Sequence, residues 1–306
     1  MAASDATPYS FMHGSIQDAQ VLRVAAQIDE ITDTGADETE VMMYNLSTRK
    51  WLSRNIEFRV IALTTLPGKP PTLIAMGLGG DVMAGNAQGA WEEHVEDTED
   101  GPKRRGDIRT VTTVGQEVYA AGMGRQLYRR KGKGRWVRAD DGLVQPRGTL
   151  QASGLNAIDG TGNGDLVGVG FLGEIWERRQ NVWRPMDSPT SLTLQDVKIL
   201  GPTLTVACGQ EGTLLAYQGT AWEPLEHQAT EADIWSLDRF EDQVFFGAED
   251  GLYVTRGGGP LEKVDVGEHS DGPFRRVHCH AGLILAVGTK AVLISKDGKK
   301  WQDITP

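Results

Sequence analysis

The chain is 306 residues long and carries a formal net charge of −11. It has no run of eighteen apolar residues, which excludes a membrane-spanning helix. Its overall acidity, and the scarcity of aromatics among its basic runs, argue against a nucleic-acid partner.

The N-terminal stretch, MAASDATPYSFMHGS, has neither the basic nor the apolar segment of an export signal, so a cytoplasmic protein is expected. Residues 21–26 read as the second strand of a first repeat and 41–44 as its third, with an acidic insert, 29–40, between them. Trp51 heads the series of anchors described below. The second repeat runs from a strand at 58–63 to Trp91. The third shows the unit most plainly: 107–114 alternates as strand a, 117–122 is strand b, 126–130 strand c and 136–138 strand d, joined by glycine turns. The same unit recurs four more times. Cys208 and Cys279 fall inside strands of different repeats and read as buried free thiols. Trp176 and Trp235 read as core.

Six times a short apolar run ends in glycine, and a tryptophan or its stand-in follows 13 or 14 residues later: Gly77/Trp91, Gly122/Trp136, Gly170/Trp183, Gly209/Trp222, Gly247/Leu261 and Gly288/Trp301. With Trp51 these anchors lie 39 to 47 residues apart, a period typical of solenoids, propellers and repeat arrays. The glycine is expected to hold a positive φ or a close backbone approach, and the tryptophan to pack between blades. The fold class expected is all-β, a single seven-bladed β-propeller domain with four-stranded antiparallel blades. The blades fall at approximately 8–54, 55–94, 107–138, 153–186, 192–225, 233–265 and 273–304. Closure is expected by side-to-side packing, without an exchanged strand.

Ser295-Lys296-Asp297-Gly298-Lys299-Lys300-Trp301 looks like a shortened Asp-box, with Asp297-Gly298 suited to a type I′ turn. With the glycine-ended strand b and the strand-d tryptophan, it makes the chain resemble the BNR/Asp-box and photosystem-II-assembly-factor-like propellers. Residues 234–240 and 247–253 also look similar to runs in bacterial propellers encoded beside secreted toxins. The first resemblance implies an assembly or scaffold factor. The second implies an immunity protein that binds and blocks a toxin effector. A sialidase-like glycan hydrolase or lyase is the enzymatic alternative, needing an arginine triad, a tyrosine nucleophile with a glutamate, and an acid/base aspartate. Arg59, Arg109, Arg239, Arg275 and Arg276 come near the strands that line a propeller channel, but no tyrosine–glutamate pair can be placed. No catalytic residue is therefore assigned, and neither enzymatic activity nor a cofactor is expected.

His278 and His280 are two apart in a strand and share a face. With His13 on strand a of the next blade round the ring, they are the candidate ligands for a channel metal, because three imidazoles suit zinc. Polar channel lining is the simpler reading, and no metal is expected. Charge gives the last signal. In a four-stranded blade the d–a connections and b–c turns share one face, and the a–b and c–d turns share the other. The insert 29–40 and segments 92–106, 223–232 and 264–273 make the first face acidic, while c–d turns such as 129–135 and 296–300 make the second basic. Acidic loops are often only solvated. The sharper expectation is a docking face for a basic protein partner, since complementary charge raises on-rate and specificity. Its contact residues would be Asp29, Glu30, Asp37, Glu38, Glu92, Glu93, Glu96, Asp97, Glu226, Glu231, Glu268 and Asp271, on a chain that is monomeric by itself.

Overall fold

The computed structural model describes residues 7–32, 37–146 and 153–306. They form seven four-stranded sheets, each an antiparallel meander of strands consecutive in sequence. The chain is a seven-bladed β-propeller. The innermost strands, a, are Tyr9–Ile16, Val60–Leu66, Ile108–Val114, Leu155–Gly160, Leu194–Gly201, Ile234–Phe240 and Phe274–His280. Each meets the next around the ring, and the last returns to the first. The only α-helical elements among the described residues are two single turns, Asp29–Thr32 and Pro102–Arg105.

Blades are held together by apolar clusters that straddle each seam. The seam that closes the ring buries Phe11, Leu22 and Val24 of the first blade against Leu285, Val287 and Val292 of the last. Each such side chain contributes roughly 1.5–3 kcal/mol on burial. Trp51 Nε1 donates to the Ile304 carbonyl across this seam at 2.8 Å. Closure is thus by packing between complete blades.

The strand-d tryptophans fill the seams as expected, with one reversal. Trp183 donates to the Ala139 carbonyl of the preceding blade at 3.2 Å. Trp222 packs with Ala157, Val167 and Val169 of its preceding blade, and Trp301 meets the Phe245 ring edge-on at 5.9 Å. Trp91 turns the other way. It joins Trp136 at the seam with the following blade, and Lys133 of that blade lies 4.4 Å from its ring centroid.

The glycine closing strand b acts by close approach, with no positive φ at these positions. Gly170 pairs with Leu155, at the start of strand a, and a Cβ there would sit 1.7 Å from the Gly154 carbonyl oxygen. In the sixth blade the equivalent position is Ala248, one beyond Gly247, paired with Ile234.

The Asp-box closes as a five-residue loop between Val292–Ser295 and Trp301–Asp303. Asp297 Oδ1 accepts the Lys299 and Lys300 amides at 2.8 Å each, and Ser295 Oγ donates to the Lys300 carbonyl. A type I′ turn is not formed: Gly298 has φ 69°, but Asp297 is not at positive φ, and that turn needs both.

Candidate functional site at the channel mouth

In every blade the pairing of strand a with strand b skips one residue near the start of strand a. The skipped residues are Met12, Ile61, Arg109, Asn156, Gln195, Trp235 and Arg275. A bulge of this kind leaves one residue unpaired and re-aims its side chain. All seven line one cavity of about 220 Å³ at the mouth of the central channel, on the face of the d–a connections. Residues 11/13 onward resume the ladder, so the bulge is local. A small residue on strand b, glycine in five blades and alanine in two, stands opposite the residue that precedes it. The repeated glycine therefore makes room for the backbone that presents the mouth.

The mouth is basic and aromatic. The Arg275 guanidinium lies 4.2 Å from the Trp235 ring centroid and pairs with Glu249 at 3.0 Å. Trp235 Nε1 donates to the same carboxylate at 2.9 Å. Arg109 donates to Asn156 Oδ1 at 3.4 Å, and Asn156 Nδ2 donates to the Leu194 carbonyl at 2.9 Å. Arg276 reaches Asp196 at 3.5 Å. Trp235 is thus a channel-mouth residue rather than core. Arg109, Arg275 and Arg276 reach the channel as expected. Arg239 does not: it sits at the a–b end, donating to the Leu200 and Glu241 carbonyls. The tyrosine–glutamate pair of a sialidase is not among the residues lining the cavity.

Below the mouth, neighbouring inner strands belong to separate sheets, and side chains satisfy their free amides. Asp159 accepts from Ile199 N, Asp196 from Leu237 N, Ser236 from Val277 N and Asp238 from Cys279 N, at 2.7 to 3.1 Å. His13 Nδ1 accepts from Leu63 N and His278 Nδ1 from Ile16 N, both at 3.1 Å. Buried amides need such partners. Burial raises the Asp159 and Asp196 carboxyls. The Asp238 carboxyl is also subject to that burial, but Lys198, 3.7 Å away, with the nearby His278 and the Cys279 amide, holds it below its ordinary value. Burial also pushes the Cys208 and Cys279 thiols well up.

The metal candidates are placed in a way that disfavours ligation. Because Nδ1 of His13 and of His278 accepts an amide proton, the neutral ring carries its own proton on Nε2 and offers no free lone pair. Burial, with help from the Arg276 charge, drives both imidazoles toward the neutral form, His278 to a pKa of about 3. His280 is exposed, 6.3 Å centroid to centroid from His278. Among the described residues the one grouping with metal-ligand spacing is elsewhere, Glu268, His269 and Asp303.

The acidic residues separate into three groups. Glu92 and Glu93 belong to strand Gly89–His94, within the blade rather than the connection that follows it, and so lie off the loop face. Glu92 is exposed on the outer edge, while Glu93 turns inward and has 0% side-chain exposure. There it accepts from Arg130 Nε and Nη2 (2.9 and 2.5 Å), Trp91 Nε1 (2.7 Å) and Trp136 Nε1 (2.9 Å). A second group lies on the predicted face but is already engaged. Asp29 pairs with Lys290 at 2.5 Å, Glu96 with Arg138 at 2.9 Å, Asp97 with Lys103 at 2.8 Å and Asp271 with Lys263 at 2.6 Å, while Glu38 accepts from Asn55. The third group, Glu30, Asp37, Glu226, Glu231 and Glu268, is on that face, and Glu226 and Glu231 form no ion pair among the described residues. Residues 33–36 of the insert and 147–152 of the loop after the third blade lie outside the described residues.

No helix among the described residues is long and apolar enough to cross a membrane. No family model matches the chain. Over 303 residues it is 29% identical to "Immune protein Tsi7" of Pseudomonas aeruginosa PAO1, covering 97% of each protein. Among solved structures it is similar to YCF48 from Cyanidioschyzon merolae (TM-score 0.67, 12% identity, 95% of this chain and 96% of that one). It is similar also to YCF48 bound to D1 peptide (TM-score 0.66, 14% identity, 94% of each chain). The resemblance to assembly-factor-like propellers is thus met by the YCF48 structures at the level of fold, and the resemblance to a bacterial immunity propeller by a relative that spans the whole chain.

Proposed function

We propose that the chain is a non-catalytic, cytoplasmic immunity protein that binds a toxin effector and blocks it. The observation that carries this reading is the end-to-end likeness to an immune protein, 29% identical over 97% of both chains. The surface supports it. Two adjacent d–a loops bearing Glu226, Glu231 and Glu268 lie on the same face as a mouth of Arg109, Arg275 and Trp235. An acidic rim steers a basic protein toward the disc, and the arginines inside it select an acidic or carbonyl-rich segment at the centre. Loops positioned by a propeller scaffold are well placed for such contacts. The monomeric disc caps its partner with one face.

A second reading, an assembly or scaffold factor that holds a peptide, is favoured by the neighbouring fold that carries a bound peptide. One experiment separates the two. The protein captured by the chain from its native host is expressed alone and with it. Growth arrest relieved by the wild-type chain supports immunity; a harmless captured protein supports assembly. The triple change Glu226→Lys, Glu231→Lys and Glu268→Lys is expected to weaken binding by about tenfold or more at low salt and to abolish protection. Undiminished binding by this variant and by Arg109→Ala/Arg275→Ala would remove the face from consideration.

A further inference from the structure

The sixth blade lacks its tryptophan, and the seam beside it is open. Its strand d is only Glu262–Lys263. Val264 N donates to the Leu252 carbonyl, as Ile304 N does to Val292 and Leu225 N to Leu214. Counting back three residues from these amides aligns Leu261 with Trp301 and Trp222. The two neighbouring seams can then be set side by side. Between the fourth and fifth blades, where Trp222 is present, the groove holds about 340 Å³. Between the fifth and sixth, with Leu261 in its place, it holds about 700 Å³, within the range of ordinary ligand pockets. Leu200, Leu204, Val206, Phe246 and Leu261 line it, and Leu225, 39% exposed, stands at its edge.

Two of the filled seams show a polar contact that such a seam accepts, while Trp301 Nε1 fills its seam without a hydrogen-bond partner among the described residues. In two other blades the indole N–H donates to the first carbonyl beyond strand d of the preceding blade: Trp183 to Ala139 and Trp51 to Ile304. Ala139, Leu225 and Ile304 are equivalent, because each amide donates to the carbonyl of the first residue of strand c, Leu127, Leu214 and Val292. The carbonyl of Leu225 therefore occupies the acceptor position in the open seam. We propose that this groove is a binding site for a small, free, indole-like molecule: a planar aromatic ring with a ring N–H directed at the Leu225 carbonyl. The site is separate from the channel mouth, although Glu226 of the proposed docking face lies among its lining residues.

The probe is indole, titrated into the full chain and followed by calorimetry and by backbone amide NMR shifts. Binding with a dissociation constant of about 0.1–1 mM is expected, with shifts centred on Leu204, Leu225 and Leu261. Leu261→Trp supplies the ring from the chain itself. It is expected to weaken indole binding by about tenfold or more while raising the melting temperature. If that variant does not fold, Leu225→Lys at its exposed position provides the same comparison. 1-Methylindole, which lacks the donor, is expected to bind roughly fivefold more weakly. Indole affinity unchanged by these variants, or shifts lying elsewhere, overturns the site. Equal affinity for 1-methylindole overturns the role of the Leu225 carbonyl. A tryptophan-containing peptide that binds the groove more tightly than free indole overturns the assignment to a free molecule in favour of a partner protein.

Discussion

Glu93 and Glu92 are adjacent acidic residues with opposite fates, and removing each in turn tests the inward placement of Glu93. The Glu93 carboxylate receives four hydrogen bonds, two of them from Arg130, whose side chain is 7% exposed. Glu93→Ala strands that guanidinium and two indole N–H groups in the seam between the second and third blades. Removing one partner of a buried ion pair costs about 3–5 kcal/mol, and the orphaned indole donors add to the loss without being strictly additive. The expected destabilisation is about 4 kcal/mol. Glu92→Ala, on the exposed side of the same strand, is expected to change stability by no more than about 0.5 kcal/mol. Urea unfolding followed by tryptophan fluorescence measures both, since Trp91 and Trp136 flank the site. The pH dependence carries a sign. Burial raises the Glu93 carboxyl, but the Arg130 and Trp91 donors outweigh it and hold the carboxyl below its ordinary value. Its stabilisation is therefore complete above the unfolded value of about 4.3 and is lost as pH falls through the lower folded value. Equal losses at the two positions, or a Glu93→Ala loss below about 1 kcal/mol, would refute the inward placement.

Two further outcomes follow from the channel. Gly170→Ala forces a Cβ to within 1.7 Å of the Gly154 oxygen, so the bulge must shift; a loss of about 3 kcal/mol is expected. Gly201→Ala, with no atom within 4 Å of its added Cβ, is the control, and chemical unfolding that fails to separate the pair would count against the close-approach account. His278, with its pKa lowered to about 3 by burial, is expected to show an imidazole NMR shift that is flat from about pH 5 to 8. Because the unfolded ring protonates near 6.5, this residue lowers stability progressively as pH falls from about 6.5 to 3. A midpoint near 6.5 in the folded protein would show that the ring is not held as described.

The architecture was legible because the glycine–tryptophan period is set by covalent spacing, which sequence records directly. What it does not record is which way a side chain faces once an irregularity intervenes. Gly77/Trp91 and Gly122/Trp136 have the same 14-residue gap. In the third blade a bulge between Arg130 and Gly132 absorbs one residue, so Trp136 faces the blade before it. The second blade has no such bulge between strands c and d, and because alternate residues face opposite sides, Trp91 faces the blade after it. The same parity puts Glu93 inside. Loop charge was readable by residue type, but not its pairing: Asp97 meets Lys103 and Glu96 meets Arg138 through folds of the loop and contacts with the next blade.

The mouth was missed for a related reason, since a bulge belongs to two strands at once and neither strand shows it alone. Its position is nonetheless tied to a visible feature. The residue opposite the period glycine, or opposite Ala26 and Ala248, is followed in every blade by the one that enters the channel. The repeat thus divides labour between adjacent positions. The first is apolar and fixed by packing: Phe11, Val60, Ile108, Leu155, Leu194, Ile234 and Phe274 are all buried. The second is free of that constraint and differs from blade to blade, from Met12 and Ile61 to Arg109, Trp235 and Arg275. A ring of like backbones presenting unlike side chains gives one half of the mouth a different chemistry from the other. The apolar pair lies on the first two blades, and the Trp235–Arg275 stack lies on the sixth and seventh. A partner that bound this asymmetric ring would be held in one rotational register on a nearly symmetric disc.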